Sequence, residues 1–174
     1  MTWESAVPAV AVTALALCAS ISDLKSRRVS NALTFGAAGL ALVIHFALTG
    51  WSGFLSAGAG WATGFALFFP LFVLGGMGAG DVKLLAAVGA WLGPWGALWA
   101  ALYAALAGGL MALAVSRSHG YTGKAFRNLG TMLRAWLSGG IRPIEGLTLK
   151  SGSGPRLPYA LPIGVGAIAA LWKV

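Results

Sequence analysis

The chain is poor in acid. Only four of its 174 residues are Asp or Glu, and charged residues make up 9%. A soluble domain carries roughly 25%, so a water-solvated globule is excluded. Cysteine is nearly missing as well. Cys18 stands alone, which rules out an internal disulfide and any Cys-x-x-Cys zinc site. The two histidines, His45 and His119, lie far apart in sequence and have no cysteine or acidic cluster beside them. No metal site and no cofactor are expected, and both histidines read as structural. The first residues, Met1 to Val7, include Glu4 and no Lys or Arg. The basic start of a cleaved signal is therefore missing, and the first apolar run reads as a retained span.

What the chain has in abundance is apolar sequence. Hydrophobic residues reach 58%, and several runs attain the roughly 18 residues that mark a membrane span. The expected fold is all-α, a polytopic membrane protein of one membrane-embedded domain over 1–174. Runs fall at about 5–22, 32–50, 53–74, 82–116 and 157–173. The fourth is too long for one crossing and contains Gly93-Pro94-Trp95-Gly96, a turn signal with a helix breaker. Split there, it gives 82–92 and 95–116, for about six spans in all.

Charge placement supports the split. Lys25, Arg27 and Arg28 lie between the first two runs, and seven basic residues from Arg117 to Arg156 lie in 117–156. Both segments should be cytoplasmic, which needs an even number of spans between them. With six spans both termini are outside, and eleven of the twelve basic residues are inside, Lys173 being the exception. The net charge of +8 is thus loop charge and not a nucleic-acid face. The same topology puts Asp23 and Asp81 at one face. A carboxylate near a membrane boundary is costly, so two of the four acids in such positions point to a function.

Paired carboxyls suit general acid–base chemistry. Like charges a few ångströms apart cannot both ionise easily, so one carboxyl keeps its proton and the other is a base. The base takes a proton from water while the acid polarises a carbonyl. Gly75, Gly76, Gly78 and Gly80 precede Asp81. They read either as bare backbone that an extended peptide can approach or as a plain flexible turn. Asp23-Leu24-Lys25 and Asp81-Val82-Lys83 share an Asp-apolar-Lys pattern. Each lysine either tunes its neighbour and holds substrate, or reaches to headgroups. The helix 82–92 would cover only about 16 Å of a hydrocarbon layer about 30 Å thick. Protein around it, a thinned bilayer or a wet recess would each accommodate that.

Gly60 and Gly64 are four apart, as are Gly89 and Gly93, which suits close helix packing. In 117–156, Phe126, Leu129, Leu133, Trp136 and Leu137 recur at helical spacing with Lys124, Arg127 and Arg134 between them. This is an amphipathic helix, lying either on an anionic leaflet or on the protein's own loops. Residues 150–156 read as a linker.

Three blocks carry a resemblance: Asp23-Leu24-Lys25-Ser26-Arg27-Arg28-Val29-Ser30-Asn31, Gly76-Met77-Gly78-Ala79-Gly80-Asp81-Val82-Lys83-Leu84, and Pro158-Tyr159-Ala160-Leu161-Pro162. Together they resemble the type IV prepilin peptidases, membrane aspartyl proteases of the Gly-x-Gly-Asp type. The resemblance implies catalytic Asp23 and Asp81, with Asn31 opening the next helix. Gly78, Gly80, Lys25, Lys83 and Asn31 are the expected substrate-binding or site-shaping residues. It implies a bacterial inner membrane location and a prepilin or pseudopilin substrate, whose leader is cut after a glycine at the cytoplasmic face. With a lone Cys18 and no paired Cys-x-x-Cys motifs, methyl transfer to the new N-terminus is not expected. The short form resembles the peptidases of tight-adherence (Flp) pili. A small ion-coupled transporter or channel using Asp23 and Asp81 is the alternative, since broken helices and boundary carboxylates occur there too.

Overall fold

A computed structural model describes residues 3–120, 122–140, 144 and 157–173. The linker expected at 150–156 lies outside them. The described residues form five helices: α1 (Trp3–Ser26), α2 (Asn31–Val73), α3 (Ala79–Ser118), α4 (Thr122–Gly139) and α5 (Ala160–Ala170). Three segments are long and apolar enough to cross a bilayer: Ala6–Ser26, Asn31–Val73 and Ala79–Ser118. The apolar α5 is shorter.

The two longest helices are interrupted, each at a glycine. Gly50 has φ 66°, ψ −144° inside α2, and Gly93 has φ 71°, ψ 179° inside α3. Such angles are essentially reserved for glycine. Residues eight apart in an unbroken helix are separated by about 12 Å along the axis. Yet a Cβ built on Gly89 would lie 3.1 Å from the Cβ of Ala97. A Cβ on Gly53 would strike the backbone carbonyl of His45. The chain therefore folds back on itself at both glycines. Phe46 agrees, its ring lying 6.4 Å from that of Phe54. The break at Gly93 falls within the turn signal seen in the sequence. The break at Gly50 falls at the last residue of the expected run 32–50.

Breaking a helix releases carbonyls from their i+4 partners. One is capped from outside, since His45 Nε2 lies 3.2 Å from the Trp91 carbonyl oxygen. A carbonyl only accepts, so Nε2 donates. This is the structural role expected of His45.

The first limb of α3, from Ala79 to Leu92, forms the centre of the molecule. Leu84 to Leu92 are all buried. A helix that is apolar all round needs protein around it, and protein cover accounts for its shortness. It also starts earlier than expected, at Ala79, so Asp81 lies in its first turn.

Small residues set the spacing around this limb. Gly60 and Gly89 meet backbone to backbone, each occupying the place where the other's Cβ would press on a carbonyl. Gly64 faces Leu85 four residues further along, its Cβ site 2.5 Å from the Leu85 oxygen. The second limb of α2 thus runs antiparallel to the first limb of α3. On the other side, α5 lies between α1 and the second limb of α3. Gly164 packs on Ala16 and Ser20, and Gly166 on the backbone of Ala100 and Ala104. Close approach of this kind holds helices together where lipid leaves little hydrophobic drive between them.

Candidate active site

Asp23 sits near the C-terminal end of α1 and Asp81 in the first turn of α3. The short turn after α1 brings these ends together. Ser22 and Ser26 donate side-chain hydrogen bonds to the Arg28 carbonyl at 2.8 and 3.3 Å. Arg27 takes a positive φ of 54°, an uncommon angle for a residue with a Cβ. The turn ends at Ser30, whose hydroxyl accepts from the Leu33 N–H at 3.2 Å and caps α2. So fastened, the turn presents Val29 to the start of α3, where its Cβ is 3.4 Å from the Cβ site of Gly80. The two aspartates, far apart in sequence, lie within electrostatic reach of each other.

Each carboxylate is held by a helix N-terminus. Asp81 Oδ2 accepts from the Gly78 N–H at 3.2 Å. This is one half of a capping box at the head of its own helix. Asp23 Oδ2 accepts from the Ala160 N–H at 3.2 Å. Ala160 is the first residue of α5, so the donor is one of the N–H groups a helix leaves unpaired at its start. The partial positive charge there favours an anion. Asp23 is 8% exposed and Asp81 is half-buried. One oxygen of each carboxylate is committed to these bonds, and among the described residues no hydrogen bond is seen at the other.

The remaining expected residues divide. Lys83 Nζ donates to Asn31 Oδ1 at 2.9 Å and lies 5.4 Å from the centre of the Phe35 ring. Asn31 and Lys83 thus clasp the first turns of α2 and α3 together. Lys25 is exposed and no hydrogen bond joins it to the site among the described residues. Of the four glycines before Asp81, only Gly75 has a positive φ, 74°. Gly78 precedes α3 with φ −79°, and Gly80 lies inside the helix. The bare backbone expected there is a helix entry more than a loose turn.

Gly78 has a further reason to be small. A Cβ on it would sit 3.0 Å from Asp81 Oδ2. Its φ would suit alanine, so Gly78→Ala should leave the fold intact and push the carboxylate by a few tenths of an ångström. Misplacing a reacting group by 1 Å can cost about a hundredfold. Gly78→Ala should lower turnover by roughly tenfold on that scale, with no change in melting temperature.

Two features escaped the sequence reading. One is the Ala160 N–H, which has no side-chain signature. The other is Tyr159, half-buried, with its ring 3.3 Å from the Cβ site of Gly108 and within electrostatic reach of Asp81. The block Pro158 to Pro162 was visible as a match, but its hydrogen bond to Asp23 was not. Among the described residues no three His, Cys, Asp or Glu side chains gather. The arrangement joins two carboxyls, a lysine–asparagine clasp and a phenol at one end of a helical bundle.

No curated protein and no solved structure matches the chain. A family model does: the type IV leader peptidase family, over residues 10–113. That span holds both aspartates, the α1–α2 turn and most of α3. It covers more than half of the sequence, and the chain belongs to the type IV leader peptidase family, whose members are proteases of the aspartic type.

Proposed function

We propose that the chain is a membrane aspartyl endopeptidase that removes the leader of prepilins at the cytoplasmic membrane face, with Asp23 and Asp81 as its catalytic pair. The observation that carries this reading is that the two acids lie within electrostatic reach of each other, each tethered through a single oxygen to a helix N-terminus. Tethering fixes the carboxyls and leaves their other oxygens for water and substrate.

The chemistry follows from two acids sharing a site. One stays protonated because two neighbouring negative charges repel. The ionised carboxyl takes a proton from water, whose oxygen attacks the scissile carbonyl carbon. The protonated carboxyl gives its proton to the carbonyl oxygen. One hydroxyl of the resulting gem-diol returns its proton to the carboxylate that had given one, the C–N bond breaks, and the proton held by the other carboxyl passes to the leaving amine. Prepositioned hydrogen-bond donors require no reorganisation at the moment of reaction.

The reversals at Gly50 and Gly93, with α5, favour six crossings and both termini outside. This topology faces the basic segments 23–31 and 117–156 toward the anionic cytoplasmic leaflet. It sets the acids where a leader would arrive from the cytoplasm of a bacterial inner membrane. The resemblance of the chain to the peptidases of tight-adherence pili favours small Flp-type prepilins as its substrates.

The test is direct. The purified chain, in detergent and with no added metal or cofactor, is mixed with a Flp-type prepilin, and products are weighed by mass spectrometry. A single cut after the leader glycine is expected. An uncut prepilin, with the enzyme still folded, would refute the assignment.

A further inference from the structure

The helix α4 has an apolar side that no other described residue covers. Phe126 is 62% exposed, Leu129 50% and Leu137 87%. At about 100° per residue these three share an arc of roughly 80°. Arg127 and Arg134, both exposed, project together on one flank, about 80–100° from Phe126. Thr131 and Ser138 continue the polar side and turn their hydroxyls back to the carbonyls of Arg127 and Arg134, at 2.9 Å each. No acidic residue occurs anywhere in α4. Among the described residues, α3 is the only element α4 touches.

Position restricts what can cover this face. The membrane-crossing helix α3 ends at Ser118 and α4 begins at Thr122. Even a fully extended link could carry the start of α4 no more than about 14 Å away. The helix therefore begins at the membrane boundary, where acyl chains and headgroups are the nearest apolar and anionic matter. A second copy of the chain would bring the same basic flank against this one, with like charges opposed. An anionic surface would instead accept the arginines while the apolar arc sinks beneath them.

We propose that α4 lies flat on the bilayer, with Phe126, Leu129 and Leu137 in the acyl boundary and Arg127 and Arg134 on anionic lipid headgroups. That the leaflet is the cytoplasmic one rests on the topology proposed above; the helix's contact with lipid does not. Lying flat, α4 anchors the end of α3 to the membrane surface.

The test needs no peptide cleavage, so it stands apart from the peptidase reading. Cys18 is exposed, so it is first replaced by serine. Single cysteines are then placed by Leu137→Cys on the apolar arc and Thr131→Cys on the polar side. Each is labelled with an environment-sensitive fluorophore, with one copy per nanodisc. In phosphatidylglycerol discs the label at 137 should shift to the blue and be quenched by a lipid-borne quencher. The label at 131 should be quenched by aqueous iodide. Arg127→Glu with Arg134→Glu should weaken the protection at 137, by roughly fivefold for each positive charge removed. Leu129→Cys repeats the test should Leu137→Cys disturb the helix. The proposal is overturned if iodide reaches 137 as freely as 131, if protection needs two copies per disc, or if phosphatidylcholine discs protect equally well.

Discussion

Asp23→Asn and Asp81→Asn should each suppress leader cleavage by about 10²–10⁴-fold, the usual contribution of a positioned acid or base, with little loss of fold. Asparagine keeps the size of aspartate and an oxygen acceptor. The bonds from Ala160 N–H to residue 23 and from Gly78 N–H to residue 81, each 3.2 Å in the native chain, can therefore persist. What the amide lacks is the ability to take a proton or release one at the working pH. Binding of the prepilin should survive, so the defect should appear in turnover and not in KM. Steady-state kinetics on the purified variants, with circular dichroism to confirm helix content, reads both. If either variant cleaved at the native rate, that residue would lose its assigned role. If either unfolded, the carboxylate would be a structural cap first.

The second large effect concerns the contact that holds the central helix. Gly60→Ala and Gly89→Ala each place a methyl where the facing helix has its backbone carbonyl. Neither side can yield by rotating a side chain, since the obstacle is main chain. The helices must separate, and overpacking of this kind costs about 1–3 kcal/mol. Melting temperature in detergent should fall for both. The double variant should fall by less than the sum, because the two changes strain one contact. Separation would also move the second limb of α2 and the chain it feeds, residues 74–78, which leads into Gly78 and Asp81. Activity should therefore fall with stability. Gly58→Ala is the control: nothing lies within 4 Å of its Cβ site. There alanine should be neutral or stabilising, by up to about 1 kcal/mol. Equal losses at positions 58 and 60 would show that the close approach of α2 and α3 has been misread.

Much of the fold is legible in the sequence. The scarcity of acid made Asp23 and Asp81 stand out, and the distribution of Lys and Arg led to the expectation that they share one face. The breaker at Gly93-Pro94 and the interval after Gly50 marked both reversals, since a change of direction needs local signals that sequence displays. Less visible was everything set by tertiary contact. The donor to Asp23 is a backbone N–H 137 residues away, and every residue but proline has one. Lys25 and Lys83 look alike in sequence and part company in the fold. Lys25 is exposed at the end of α1, whereas Lys83 meets Asn31 across the α2–α3 contact. The early start of α3 at Ala79 escaped because two glycines flank it, which argue for a turn. They are tolerated because Asp81 caps the helix from within.

That the two acids act as one device is the core of the account, and a double-mutant cycle on the cleavage rate tests it most directly. Leader release is measured for the native chain, Asp23→Asn, Asp81→Asn and the double variant, all at saturating prepilin. Groups that work as a unit are grossly non-additive, so the double variant should retain the residual rate of either single one. Two losses that simply multiply would mean that Asp23 and Asp81 serve the protein separately, and the shared site would be wrong.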